Sequence, residues 1–261
     1  MLKHALSVVK KAKLKTDPFP YIFVKNLLPK KDLLQLNKIL PAFHEVGGND
    51  VLYQSSSKTK KTLLPSSIIY KKLSKEKTFK DVDKLFKKLK PAIIKKFKPH
   101  IKAHVKKKFH NSKLNYHSSF SLMKKGYVKS SHLDRRDHLL HILFYPYSDG
   151  NSGGNLQLDK LRDHKKTYDI FPGKEDLKIH EKLKVKNNHC LFTLNVPWAY
   201  HSVSKYNGKK DRKYFYVVYD FPIKKSGSLL KNRKKGYNDN IFWNSQVKIK
   251  SGKRKKVFLS E

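Results

Sequence analysis

Three residues in the second half of the chain have the types and spacing of a metal site. His132 and Asp134 are two positions apart, and His201 follows 69 residues later at the end of a strand-like run. Residues i and i+2 of a strand point to the same face, so one imidazole and one carboxylate can reach the same ion. Two histidines and one carboxylate hold Fe(II) on one side and leave positions open for other ligands. The spacing therefore predicts a metal site.

A cation and an aromatic hydroxyl follow the metal candidates at suggestive positions. Arg212 lies 11 residues after the second histidine, in the alternating run DRKYFYVVYDF, where it can bind a co-substrate carboxylate through two parallel hydrogen bonds. Tyr145 lies 11 residues after Asp134 and can donate a hydrogen bond to the same carboxylate. Gly153 and Gly154 predict a tight turn into the next strand. Taken singly, the arginine fits a surface cation and the tyrosine a core aromatic.

Short strands must position these residues. From about residue 115, strand-like runs alternate with Gly-, Asn- and Ser-rich turns. The runs are FSLM from Phe120, HLLHILFYPY, GGNLQL, HCLFTLNV and KYFYVVYDF. Many short strands at this spacing predict a double-sheet jelly roll or a barrel.

The first part of the chain contains one strand and two helical patterns. Residues 21–24 form a β-rich run, and a leucine pattern with near-helical spacing follows it. Residues 45–60 have the composition of a loop. Residues 78–109 carry an apolar stripe on a lysine-rich background, which Pro91 and Pro99 are expected to interrupt. A helix packed on a sheet is favoured over a helix lying on a membrane.

These patterns predict one domain in three segments. Residues 1–115 form a strand and helical buttress, residues 116–222 form the β-rich core, and residues 223–261 form a basic C-terminal extension. The extension shows no periodicity before residues 257–259.

Charge dominates the composition. The 261 residues include 60 Lys and Arg but only 20 Asp and Glu, so the net charge is +40. With 38% apolar and 12% aromatic residues, the chain has enough material for a core, which excludes global disorder. Only six of the cations are arginines, whereas phosphate-binding sites favour arginine. The lysine excess is therefore interpreted as background composition that supports non-specific polyanion binding.

Other classes are excluded by what the chain lacks. A single cysteine, Cys190, forms no internal disulfide, and 11 Gly exclude a collagen-like chain. No apolar run approaches the ~18 residues that span a bilayer, so no membrane span is expected. The N-terminus, MLKHALSVVKKAKLK, does not have the pattern of a signal peptide, and a cytoplasmic location is expected.

The order of these features over residues 116–222 resembles a known superfamily. An HxD pair, an aromatic-rich strand, a Gly-Gly turn, a distal histidine and an arginine resemble the Fe(II)/2-oxoglutarate-dependent oxygenases of the prolyl-4-hydroxylase-like branch. The segment PFPYIFVKNLLPKKDLLQLNKILP is similar to the strand and helix that open many bacterial and phage members. The resemblance implies a mostly β fold with N-terminal helices, built on a double-stranded β-helix (jelly-roll) barrel.

The resemblance also implies roles for individual residues. His132, Asp134 and His201 would bind the metal and carry catalysis. Arg212 would bind the distal carboxylate of 2-oxoglutarate with help from Tyr145. In the segment GYVKSSHLD, Tyr127 matches a position that often lines the co-substrate pocket.

The implied activity is that of a 2-oxoglutarate-dependent dioxygenase of the hydroxylase type. Fe(II), 2-oxoglutarate and O₂ would be required, with ascorbate as an optional reductant, and succinate and CO₂ would be released. The fold hosts substrates that include proteins, amino acids, sugar or lipid precursors and nucleic-acid bases, so it does not select among them.

This chain departs from the family pattern at several positions. The spacing from His201 to Arg212 is slightly long, and Asn155 stands where the family often has an acid. DNA-repair demethylases carry a second arginine six residues after the first, where this chain has Val218. Relatives that halogenate replace the metal carboxylate, so Asp134 favours hydroxylation.

The remaining histidines have competing interpretations. His138 and His141 flank the strand after the HxD pair, and His141 could point into the barrel. His100, His104 and His110 lie in the basic helical region and could imitate a metal cluster, but no carboxylate motif accompanies them.

Three other residues and two other functions stay open. Trp198 could stack on a substrate or pack a loop, whereas Arg135 and Arg136 could attract an anionic substrate or face solvent. One alternative function is a basic, non-catalytic nucleic-acid-binding jelly roll. The other is a cupin-like metalloenzyme that does not use 2-oxoglutarate.

Overall fold

The computed structural model describes residues 1–47, 57–163, 168–169, 171–222, 241–245 and 249–250. Within these ranges the helices are α1 (Leu2–Lys11), α2 (Lys30–Ile39), α3 (Ile68–Leu73) and α4 (Lys77–His104). The strands are β1 (Tyr21–Val24), β2 (Lys60–Leu63), β3 (Asn115–Met123), β4 (Lys129–His132), β5 (His138–Tyr147), β6 (Leu156–Leu161), β7 (Tyr168–Asp169), β8 (Leu177–Leu183), β9 (His189–Leu194), β10 (His201–Val203), β11 (Arg212–Asp220) and β12 (Ile249–Lys250).

Two antiparallel sheets form the framework. The larger sheet has six strands in the order β1-β9-β5-β11-β3-β2, and the smaller has four in the order β4-β10-β6-β8. A short parallel pair joins β7 to β12. This arrangement confirms the mostly β fold class predicted from the alternating strand runs. β8 was not singled out from the sequence, because its LKIHEKL run is largely exposed and weakly apolar.

The segments before and after residues 116–222 pack into the same core. β1 pairs with β9 and β2 pairs with β3, so the N-terminal segment supplies both edge strands of the larger sheet. Phe242 and Trp243 of the C-terminal segment are buried, and the Trp243 indole donates a 2.9 Å hydrogen bond to the Arg136 carbonyl.

The long helix α4 differs from the sequence prediction. Pro91 and Pro99 lie inside one continuous 28-residue helix, so the expected interruption is wrong. A proline inside a helix costs about 3 kcal/mol because a hydrogen bond is lost. The apolar face offsets that cost by packing on the larger sheet, with eight buried side chains. Phe86, for example, contacts Phe144 of β5, with 5.9 Å between ring centroids.

Side-chain alternation along β11 divides the molecule into a helix side and a site side. Phe215 contacts Phe79 of α4, and Tyr219 donates a hydrogen bond to an α4 carbonyl. Residues 212, 214 and 216 alternate with these and therefore point away from α4. The helices thus support one face of the larger sheet and leave the other face for Arg212, Tyr214 and Tyr216.

Some predictions fall outside the described residues. Most of the predicted loop at residues 45–60 and the apolar residues 257–259 belong to the ranges that the structure does not describe. Among the described helices, none has the length and apolar character needed to cross a membrane.

Candidate metal centre

His132, Asp134 and His201 converge. His132 ends β4 and His201 begins β10, and these residues lie opposite each other in the antiparallel pairing, with ring centroids 4.4 Å apart. Asp134 follows β4, with Oδ1 3.8 Å from His132 Nε2 and Oδ2 3.6 Å from His201 Nε2. One ligand atom from each residue lies within 4.8 Å of the other two. The structure therefore groups the three residues that the sequence selected.

The backbone orients both imidazole rings. Nδ1 of His132 lies 2.9 Å from the Ser130 carbonyl, and Nδ1 of His201 lies 3.0 Å from the Ala199 carbonyl. A carbonyl only accepts, so each Nδ1 carries a proton, and in the neutral form of each ring the lone pair is on Nε2. Burial, and then the neighbouring His201, lowers the pKa of His132 to about 3. His132 is consequently neutral at pH 7, as a metal ligand must be.

Two side chains hold the Asp134 carboxylate. His141 Nδ1 lies 2.8 Å from Oδ2, and the Tyr216 hydroxyl donates to the same oxygen at 3.2 Å. Burial alone would raise the pKa of Asp134, but His141, together with His201 and His132, outweighs it and the pKa lies well below its usual range. Asp134 is therefore ionised. The interpretation of His141 as a pocket residue agrees with this geometry. Tyr216 was missed, although it lies four residues after Arg212 on the same face of β11.

Arg212 is buried with unused hydrogen-bond donors. The side chain has no exposed surface, its Nη1 donates to the Gly154 carbonyl, and its Cζ lies 4.4 Å from the centre of the Tyr145 ring. Nε and Nη2 make no hydrogen bond to any described residue. A buried cation without an anion is costly, so this environment fits the carboxylate of a ligand.

The glycine pair allows the arginine to approach. Gly153 and Gly154 have φ values of +74° and +65°, a region that side chains disfavour. A Cβ on Gly154 would also collide with Nη1 of Arg212. The predicted Gly-Gly turn therefore has two causes, which are its backbone conformation and the close contact with the guanidinium.

One tyrosine ring contacts the arginine, and a second tyrosine packs beside it. Tyr145 presents its ring face to the guanidinium of Arg212, and Tyr214 lies 5.7 Å from Tyr145 between ring centroids. Tyr127 is buried, and burial, then Tyr214 and Tyr145, raises its pKa. Its role in a co-substrate pocket stays a prediction.

The arginines after the HxD pair do not form an open cationic mouth. Arg136 is buried and donates a 3.0 Å hydrogen bond to the Pro197 carbonyl, so the expectation that it faces solvent or substrate is wrong. Arg135 makes a bidentate ion pair with Asp137 at 2.6 and 3.0 Å. Backbone folding after the strand turns Arg136 inward, which sequence alternation does not reveal.

Trp198 and Cys190 have packing roles. Trp198 packs on the core, and its ring is perpendicular to that of His104, with 5.1 Å between ring centroids, which supports the loop-packing interpretation. Cys190 is fully buried in β9, as expected for a small apolar side chain.

The residues present fit an iron centre and an acidic co-substrate. Two imidazoles and one ionised carboxylate are ligands that suit Fe(II). Arg212 supplies the unsatisfied donors that a carboxylate of 2-oxoglutarate would accept. Tyr214 and Tyr216 lie on the same face of β11. Tyr214 contacts Tyr145 of the arginine pocket, and Tyr216 donates a hydrogen bond to Asp134, so the two tyrosines connect the pocket to the triad.

Comparison with known proteins identifies the fold. No family model and no curated protein matches this sequence. The crystal structure of a Pseudomonas putida prolyl-4-hydroxylase superposes with a TM-score of 0.51 at 12% identity, over 84% of this chain and 99% of that one. Further matches are a viral collagen prolyl hydroxylase from Paramecium bursaria Chlorella virus-1 with 2-oxoglutarate (TM-score 0.45, 12% identity, 78% and 96% covered) and HygX from Streptomyces hygroscopicus with nickel and 2-oxoglutarate (0.44, 10%, 85% and 88%). The chain therefore has the fold of the prolyl-4-hydroxylase-like oxygenases, which confirms the resemblance at the level of fold.

Proposed function

We propose that this protein is an Fe(II)- and 2-oxoglutarate-dependent dioxygenase of the hydroxylase type. The observation that carries the proposal is the pairing of the His132, Asp134 and His201 triad with a buried Arg212 that has two unused donor nitrogens. The triad alone would suit many metalloenzymes, including a cupin-like enzyme without a keto acid. The arginine pocket adds buried donors that fit the carboxylate of an organic co-substrate.

The chain's own residues bind and orient. His132, Asp134 and His201 would hold the iron, and the backbone carbonyls behind the two imidazoles keep their Nε2 atoms available. Arg212 would fix the distal carboxylate of 2-oxoglutarate, with the Tyr145 ring against its guanidinium. The bound iron and 2-oxoglutarate supply the chemistry, which is oxidation of a substrate by O₂ coupled to release of succinate and CO₂.

The substrate would approach past an exposed aromatic ring. Phe171 is 42% exposed and stacks on His132, with 6.3 Å between ring centroids and 18° between planes. The Lys129 ammonium lies 5.4 Å from the centre of the Phe171 ring. This edge of the triad therefore offers an apolar surface beside a positive charge.

The test is turnover of 2-oxoglutarate in the absence of a substrate. Purified protein is loaded anaerobically with Fe(II) and 2-oxoglutarate and is then exposed to O₂. The succinate that is released is measured. We expect slow succinate release that requires iron, and we expect H132A to abolish it. H104A, which changes a histidine of α4, is the matched control and should keep the activity. Iron binding without any succinate release, with or without ascorbate, would contradict the proposal.

A further inference from the structure

A second group of metal-binding side chains lies beside the triad. Asp137, His138 and Asp220 each offer one ligand atom, and these atoms lie within 4.8 Å of one another. His138 begins β5 and pairs in register with Asp220 at the end of β11. The strand pairing and the preceding turn thus assemble the group from two distant parts of the sequence.

The carboxylates of this cluster are buried with incomplete neutralisation. Asp137 and Asp220 are each only 6% exposed, and Oδ1 of Asp220 makes no hydrogen bond to any described residue. Arg135 pairs with Asp137, and His117 Nε2 lies 3.2 Å from the other oxygen of Asp220. One arginine therefore faces two carboxylates, and a buried oxygen stays without a partner. A buried, unpaired carboxylate oxygen is costly, and a divalent cation would remove that cost.

A hydrogen-bond chain links His138 to the first site. His138 Nδ1 lies 3.0 Å from His141 Nε2, and His141 Nδ1 lies 2.8 Å from Oδ2 of Asp134. This contact occupies Nδ1 of His138, so Nε2 is the nitrogen that would bind a second ion.

We propose that Asp137, His138 and Asp220 form a second metal site, which takes a divalent transition ion of the zinc class. Mixed imidazole and carboxylate ligands are typical of zinc, and three protein ligands leave a fourth position of a tetrahedron for water. The site joins the start of β5 to the end of β11. It does not depend on the proposed oxygenase function.

Zinc stoichiometry tests this proposal. Metal-free protein is equilibrated with Zn²⁺ against a competing chelator, and bound zinc is measured per chain. The triad also takes zinc, so we expect two ions in the parent, one in H132A, one in D220N and none in the double variant. D17N is the matched control and should bind two ions. Asp17 also lies near a histidine, with Oδ2 3.4 Å from His180 Nε2, but its side chain is 55% exposed.

Folding and site identity are checked separately. A thermal melt shows whether D220N folds, and H138Q provides a second variant that should also lose one ion. Added Zn²⁺ should raise the melting temperature of H132A but not of the double variant. One ion in the parent that is lost in H132A, or two ions in folded D220N and H138Q, would overturn the second site. Two ions in H132A would instead remove the triad as a metal site and contradict the proposed function.

Discussion

Two groups of histidines in this molecule are built differently. His132 and His201 face an ionised Asp134, and each Nδ1 is held by a backbone carbonyl. His100 and His104 of α4 stack with 6.2 Å between ring centroids, and the His104 ring is perpendicular to the Trp198 ring. Among the described residues, no carboxylate completes a three-ligand group with the α4 pair.

The difference shows that proximity of imidazoles does not make a metal site. Burial lowers the pKa of His100 and His104, so both groups are rich in neutral imidazole. The triad differs from the α4 pair in two ways. It contains an anionic ligand, and backbone carbonyls orient its imidazole rings. The triad region also has a buried cation, Arg212, which lacks hydrogen-bond partners for two nitrogens among the described residues. These features can be tested one at a time.

Removing the carboxylate should have the largest effect. D134A takes away the negative charge that bridges His132 and His201, so the triad should become similar to the α4 pair. We expect affinity for Fe(II) to fall by more than ~100-fold, because loss of an outer hydrogen-bond partner alone already costs about 10–100-fold. H104Q should bind iron like the parent. Isothermal titration calorimetry under anaerobic conditions measures the Fe(II) affinity of both variants. Equal losses of affinity in D134A and H104Q would contradict the difference between the triad and the α4 pair.

The sequence predicted the triad because local spacing encodes it. An HxD pair at a strand end places two ligands on one side, and the alternating runs predicted the two sheets that bring His201 opposite His132. The continuity of α4 through Pro91 and Pro99 could not be predicted in this way. It depends on the packing energy of a whole helix face against β5 and β11, which is a tertiary property.

Replacing the arginine should separate co-substrate binding from metal binding. R212M keeps most of the side-chain volume but removes the donors, and hydrogen bonds to a charged group contribute about 1.5–3 kcal/mol. We therefore expect 2-oxoglutarate to bind about ten- to a hundredfold more weakly, with little change in Fe(II) affinity. R162M is the control, because Arg162 is exposed. Parental affinity for 2-oxoglutarate in R212M would show that Arg212 does not bind the co-substrate.

The residue behind the carboxylate should have an intermediate effect. His141 restrains Oδ2 of Asp134, and H141Q loosens that oxygen without removing a ligand. Outer hydrogen-bond partners of metal ligands contribute about 10–100-fold in affinity, and we expect the lower part of that range because the Tyr216 hydroxyl remains. The readout is Fe(II) affinity together with the Co²⁺ absorption spectrum, which reports ligand geometry. An unchanged spectrum with weaker binding would indicate a merely structural role.

Residues that contact a candidate metal ligand without being ligands themselves are hard to predict from sequence. His141 was noticed because it lies on the strand after the HxD pair, whereas Tyr216 was not, because one tyrosine in a tyrosine-rich strand carries no distinguishing signal. The inward turn of Arg136 was missed for a related reason. Each depends on where two strands end relative to each other, and that register is decided by pairing across the sheet rather than by local pattern.

The smallest expected effect separates two roles of Tyr145. The sequence predicts that its hydroxyl donates to the 2-oxoglutarate carboxylate, whereas the structure also places its ring face 4.4 Å from Cζ of Arg212. Y145F keeps the ring and removes one neutral donor, which should weaken 2-oxoglutarate binding by about two- to tenfold. Y145L also removes the ring and should weaken it further, because a desolvated cation–π contact contributes about 2 kcal/mol. Equal affinities for Y145F and the parent would assign the contribution of Tyr145 to its ring alone. Parental affinity in Y145L as well would show that the guanidinium is held without this tyrosine, by the Gly154 carbonyl and the surrounding packing.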